Sequence, residues 1–419
     1  MPKIFITQHM YQAKTILLSV LTGLLSLHTT LLHAQMAQTL GDFGCQIDST
    51  KAKELAIEID NISFLKDNEY AGAVMKGYTL PGFWMQIKAT YQPLKYLKLE
   101  AGTHGLVYSG AYKYPSYAYH DIEKWKGNQY QKGTHILPYF RAHLQLKSWQ
   151  LVFGDIYGGV HHNYIAPLYN PEQHLTADPE FGFQAIYDSK RFHMDTWVNW
   201  QSFIFEEDSH QEAFCVGLSS VYRFNDENAP MHMYMPFQVS VQHRGGEQDT
   251  ITTNSVQTLC NGALGFGVKW NLNRRIVQQV NVEADALMHW QQAGELWSKD
   301  TGVGAYAKAA VKFTNGIHTE GGYFYGNDFN SLLGIPYYGS VSLKEKGLFF
   351  KQPKTLFLSV DWSKKFAKHY AFGVKADVYY FSPSSAYNAE GLQPVSNNTS
   401  FSFGVFFRAN PRFLIKKFN

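Results

Sequence analysis

Three histidines, His161, His162 and His174, share one stretch of chain with Asp155, Glu172 and Asp178. Imidazoles and carboxylates together can hold a transition metal or move protons. Their spacing matches no fixed ligand pattern such as HExxH, so the stretch reads as a solvated loop and no metal is expected. Glu283 and Asp285 stand two residues apart, as paired acids for hydrolysis might, yet on a strand that spacing simply marks one face. His243-Arg244-Gly245-Gly246 reads as a strand end with a glycine turn, an anion contact by Arg244 being the alternative. No serine sits in a G-x-S-x-G elbow, while a Ser–His pair distant in sequence stays open. Cys45, Cys215 and Cys260 are odd in number, far apart and without CxxC spacing, and whether any two pair stays open. The expectation is a protein that is not an enzyme and uses no cofactor.

These residues sit on a chain organised by alternation. In the hairpin from Thr355 to Phe381, Leu356, Leu358, Val360 and Trp362 fall on one side, opposed by Phe357, Ser359, Asp361 and Ser363. After a basic connection the second arm sets Phe372, Val374, Ala376, Val378 and Tyr380 against Gly373, Lys375, Asp377 and Tyr379. A strict period of two places one face in an apolar medium and one in a polar medium. Charge amid small residues on one face, with Trp and Tyr ending the other, is how a membrane barrel strand reads.

Composition agrees. The 419 residues are 16% aromatic and contain 34 Gly, while only 17% are charged, against roughly 25% in ordinary soluble proteins. Residues 1–34 carry Lys3 and Lys14, an apolar run from Thr15 to Leu27 and a small residue, Ala34, before Gln35, which describes a secretory signal. Removing it leaves a nearly neutral chain, so nucleic acid is not expected as a partner. No later stretch supplies the ~20 continuous apolar residues of a spanning helix.

About 16 alternating segments follow a short periplasmic segment, 35–53, within one domain, 54–419. The expected fold is all-β: a single transmembrane antiparallel up-and-down barrel. Connections alternate between long (63–82, 105–135, 157–180, 201–212, 244–258, 291–301, 326–354, 382–398) and short, as outer-membrane barrels with long extracellular loops and short periplasmic turns do. A soluble sandwich has no reason for that alternation. Tyr91, Tyr187, Trp270, Phe313, Trp362 and Phe407, joined by Phe224, end the apolar faces on the short-turn side and predict an interfacial girdle. Arg141, Lys269, Glu283, Asp285, Lys308, Asp361, Lys375 and Asp377, with Lys98, Glu100, Arg223 and Lys312, are expected to line a wet lumen. Tyr108, Tyr112, Tyr114, Tyr117, Tyr119, Trp125 and Tyr130 in one loop, and Phe329, Tyr337 and Tyr338 in another, suit either a constriction or a lid.

Asp67-Asn68-Glu69-Tyr70, Gly82-Phe83, Ala101-Gly102 and Gln242-His243-Arg244-Gly245-Gly246 are the local strings behind a wider likeness. With the architecture of residues 50–419, the chain resembles outer-membrane β-barrel proteins of Gram-negative bacteria, in particular porin-like barrels of the Bacteroidetes type. Such barrels usually end on an aromatic residue read by the insertion machinery, whereas this chain ends Lys417-Phe418-Asn419. The resemblance implies outer-membrane lipid and that machinery as partners, and passive diffusion of small polar solutes, oligosaccharides among them, through a charged lumen. The alternative is a non-conducting barrel whose loops dock a partner protein or surface polymer.

Overall fold

The computed structural model describes residues 45–109, 133–204, 211–246 and 256–419, with single breaks at 296, 332, 346 and 384. The expected signal segment and most of the tyrosine-rich loop at 105–135 lie outside the described residues.

Sixteen antiparallel strands close into a barrel. They are β1 Glu54–Glu69, β2 Tyr78–Leu94, β3 Leu97–Tyr108, β4 Gly133–Leu146, β5 Trp149–Asp155, β6 Phe181–Asp188, β7 Phe192–Ser202 and β8 Ala213–Arg223. The series continues with β9 Met231–Arg244, β10 Gln257–Asn271, β11 Val277–Ala293, β12 Thr301–Phe313, β13 Ile317–Asn327, β14 Lys354–Ala367, β15 Tyr370–Phe381 and β16 Asn398–Ala409. Each strand pairs with its neighbours in sequence, and β1 pairs with β16 from Asn61↔Ala409 to Glu69↔Phe401, which leaves no open edge over that span. A C-terminal arm, Arg412–Lys417, continues β16 along the start of β1, held by Arg412 to Glu54 at 2.9 Å and to Glu58 at 3.2 Å. All three cysteines are free.

The period of two holds along the strands, broken only by register shifts near some strand ends. Leu264, Phe266, Leu356, Leu358, Phe401 and Phe403 project outward and are exposed, while Asp361, Asp377, Glu283 and Arg141 are buried on the other face. An exposed apolar belt around a wall with polar groups inside is the arrangement that lipid requires. Turn chemistry supports the register: Gly316 has φ +86 in the short turn between β12 and β13, where Asn-Gly supplies the left-handed backbone. Gly217 leaves room for a neighbour, since a Cβ there would lie 2.1 Å from the Trp197 ring on the adjacent strand.

Two features depart from the alternation as read in sequence. β1 and β2 run further toward the extracellular side than expected, to Glu69 and from Tyr78, which shortens their connection. Moreover, the lumen is largely occupied. The loop at 328–353 folds inward, so that Phe329, Tyr337, Tyr338 and Phe350 pack against Tyr306, Phe324, Phe357, Tyr379 and Phe381 of the wall. Tyr337 stacks on Tyr379 with ring centroids 4.8 Å apart. The loop at 156–180 also turns inward, and its Val160 and Leu175 meet a second apolar patch: Ile62, Phe64, Leu80, Trp84, Leu106 and Phe406. A small sheet of Phe349–Phe350, Ala386–Asn388 and Gly391–Gln393 joins two extracellular loops.

The assignment of faces has a direct test. Leu358→Arg should cost about 2–4 kcal/mol, the depth-dependent penalty of a cation on the lipid face near the midplane. Leu358→Met, which conserves volume, should cost under about 1.5 kcal/mol. Urea midpoints in lipid bilayers, read from heat-modifiable gel mobility, measure both.

Candidate active site

The loop at 156–180 crosses the lumen because wall residues on three sides hold it. At its start the Arg141 guanidinium donates to the carbonyl oxygens of Asp155 and of Ile156, the latter at 3.1 Å, and lies 3.8 Å from the centre of the Tyr157 ring. Glu100 accepts from Arg141 at 3.1 Å and also pairs with Lys98 at 2.8 Å, which Glu58 meets in turn at 2.9 Å. On the far wall Gln238 of β9 accepts from the Ile165 amide at 3.0 Å and donates to the Asn163 carbonyl at 3.0 Å. The chain then returns through a helical turn, Gln173–Thr176, that brings Glu172 to β1 and β2. There the Glu172 carboxylate accepts from Lys66 at 2.5 Å, from Asn68 at 3.2 Å and from the Tyr78 hydroxyl. Gln173 and the Asn170 amide both donate to the Leu333 carbonyl at 2.7 Å, tying the two inward loops together.

The crossing encloses a polar cavity of about 100 Å³ between the loop and the inner face of β1–β4. Trp84, Gln86, Lys88, His104 and Tyr139 line it from the wall, and His161, His174, Asp178 and Glu180 from the loop. The rings of His161 and His174 are 5.9 Å apart, and His174 meets the edge of Trp84 at 6.0 Å. Asp178 pairs with His135 at 2.8 Å. Burial, reinforced by His174 and Arg408, holds His161 well below the usual imidazole range, so it is neutral. The Cys45 thiol stands 3.9 Å from His161, but burial pushes it up to about 12, and it is no nucleophile at neutral pH.

His162 has a different task. It is sandwiched against Trp197 with centroids 3.3 Å apart and bonds Asp195 at 2.7 Å and Glu180 at 3.2 Å. Burial alone would lower its pKa, but Glu180 and Asp195 outweigh burial and raise it to about 9. Burial would likewise raise Glu180, and the facing His162 cation holds it below the usual carboxylate value instead. Both nitrogens are engaged, so His162 fastens the loop. The three histidines expected to be solvated in one loop are thus separated: one is a latch, and two face a cavity.

A second, larger chamber of about 510 Å³ runs along the other side of the lumen. Lys269, Glu283, Lys308, Asp361, Lys375 and Asp377 line it together, whereas Arg141 lines the smaller cavity. Asp285 lies buried over Gly265, where an added Cβ would be 2.0 Å from its carboxylate. Pairing is extensive: Lys308 with Glu283 at 3.1 Å, Lys375 with Asp377 at 3.1 Å, and His318 with Asp361 at 2.9 Å. Tyr91, Tyr187, Trp270, Phe313, Trp362 and Phe407 end outward faces at the short-turn side, with Tyr91 meeting Phe418 edge-on at 5.6 Å. His243 and Arg244 do end a strand, β9, and Gly245 follows at φ +87.

Sequence reasoning missed Lys66, Asn68, Tyr78, Trp84 and His104 as site residues. The signal was parity: each lies on the polar, inward register of its strand, as do Ile62, Phe64 and Leu80, whose apolar character required something to cover them.

Fold and site together define a transmembrane barrel with a polar cavity between its wall and an inward loop. The chain belongs to the family described as Lipid A 3'-O-deacylase-type, whose model matches residues 47–418. That family is named for an enzyme activity, which overturns the expectation of a non-enzymatic barrel. The misreading has a physical cause: the groups lining the cavity come from five strands and one loop, so no short-range motif announces them. No curated protein matches the chain. Among solved structures, the chain is similar to Acinetobacter baumannii OccAB3 (8% identity, TM-score 0.45, covering 86% of this chain and 99% of that one). It is also similar to the outer membrane protein OprD of Pseudomonas aeruginosa (9%, 0.44, 88% and 97%). A third is OmpT of Vibrio cholerae (10%, 0.44, 85% and 97%). At these low identities and scores the likenesses say nothing of activity.

The latch carries a pH signature. A group whose folded pKa is raised gives stability that is complete below the unfolded value, near 6.5, and is lost as pH rises through about 9. The urea midpoint should therefore fall between pH 6.5 and 9, and His162→Gln should be less stable at neutral pH but flat over that window. Midpoints across the series check both.

Proposed function

We propose that the chain is an outer-membrane hydrolase that cleaves an acyl ester of a phosphorylated glycolipid of the lipid A class. The observation that carries this reading is the pair of histidines, His161 and His174, brought by an inward loop onto a cavity that also holds Lys88 and Arg408. A cavity of about 100 Å³ has room for a few waters or an ester group. In the proposed reaction His174 takes a proton from water as its oxygen adds to the ester carbonyl. Lys88 and Arg408 supply positive charge to the resulting oxyanion, and the sugar hydroxyl leaves with the proton. His161 orients the attacking water. The family name supports the substrate class.

The test is mass spectrometry of lipid A incubated with the purified protein in mixed micelles. Loss of one acyl chain is expected, reduced at least about 100-fold by His174→Gln. Intact lipid A with folded protein, or full activity of that variant, would contradict the assignment.

A second reading, porin-like passage of small polar solutes as the Bacteroidetes-type likeness implies, draws on the chamber of about 510 Å³ and its charged wall. In it Lys269, Glu283, Lys308, Asp361, Lys375 and Asp377 set selectivity, while Tyr91, Tyr187, Trp270, Phe313, Trp362 and Phe407 anchor the barrel at the membrane boundary. Export through residues 1–34 belongs to either reading. With two loops inside the lumen, planar bilayers should show only small conductance steps. Glu172→Ala, which unties one loop from β1 and β2, should raise them; large steady steps in the unaltered protein would favour an open pore.

A further inference from the structure

We propose that the short-turn end of the larger chamber is a binding site for a small anionic sugar, phosphorylated or carboxylated. The inference does not rest on the hydrolase reading. Along most of the chamber each cation has a close carboxylate, and at this end the pairing is sparser. Lys308 and Lys375 have carboxylate partners at 3.1 Å, and Lys66 one at 2.5 Å. Lys312, half-buried, has no ion-pair partner among the described residues. The acid nearest it along the wall, Asp361, is engaged by His318 at 2.9 Å. Among the described residues Lys269 pairs with Glu227 alone, 3.5 Å away in an exposed turn and shared with Arg223.

Two ammonium groups confined in one cavity repel each other and lose hydration, and an anion between them relieves both costs. Beside them stand neutral groups suited to hydroxyls. The Asn281 amide and the Tyr234 hydroxyl bond each other at 3.0 Å, and both line the chamber with Gln279. The chamber as a whole, about 510 Å³, falls within the ~300–1,000 Å³ typical of small-molecule sites, and the proposed site is its short-turn end. Charge fixes the anionic group, and the amide and phenol groups recognise the ring.

Titration calorimetry of the full chain in detergent, with glucose 6-phosphate, glucuronate, glucose and inorganic phosphate as probes, tests the site. Glucose 6-phosphate or glucuronate should bind, with glucose at least tenfold weaker, and added salt should weaken the anions. Lys312→Met and Lys312→Gln should each lower affinity about tenfold, and Lys95→Met, in an exposed turn, should not. Glucose binding as tightly as its phosphate, unchanged affinity in folded Lys312 variants, or no binding by the folded native chain would overturn the proposal. Inorganic phosphate binding as tightly as glucose 6-phosphate would overturn the assignment to a sugar.

Discussion

One carboxylate joins the inside of this barrel to its wall. Glu172, buried within the lumen, is met by Lys66, Asn68 and Tyr78 from two adjoining strands. A buried charge is tolerated only when paired and hydrogen-bonded, and breaking such a set by removing one partner typically costs about 3–5 kcal/mol. The loop that carries Glu172 therefore cannot leave the lumen without stranding Lys66. The division of the lumen, the cavity that the histidines face and the cover over the apolar patch at Ile62, Phe64 and Leu80 all involve the loop that Glu172 secures.

Polar anchoring and apolar burial act on the same segment. Leu175, one turn beyond Glu172 and 2% exposed, sits among Trp84, Leu106 and Phe406. Full burial of such a side chain contributes about 1.5–3 kcal/mol, comparable with the ionic contact beside it. At the other end of the loop, Arg141 and the His162 latch fix its departure from β5 and its return to β6. A catalytic geometry needs groups held by their surroundings, and here the ties to β1, β4, β7 and β9 hold them on a connection that would otherwise be a surface loop.

Much of the wall was legible in the sequence. Leu356, Leu358, Val360 and Trp362 face outward as their period demands, and the alternation of long and short connections gives the antiparallel order. The content of the lumen was harder to read. An inward Phe357 or Tyr379 looks the same in sequence whether it meets water or a folded loop, because period and polarity report on the strand and not on what covers it. The same holds for the site. His161 and His162 are adjacent in sequence, yet one faces a cavity and the other is locked between two carboxylates. Only the partners distinguish them, and those lie on β6's approach and on β7, at Glu180 and Asp195.

The central claim is that the loop at 156–180 is packed inside the barrel and held there by Glu172. Hydrogen–deuterium exchange of the protein in lipid nanodiscs tests it directly. Protection of the amides of residues 164–176 approaching that of the strands, with selective loss in Glu172→Ala while β1 and β2 stay protected, is the predicted result. Rapid exchange across 164–176 in the unaltered protein, as in an exposed loop, would contradict it.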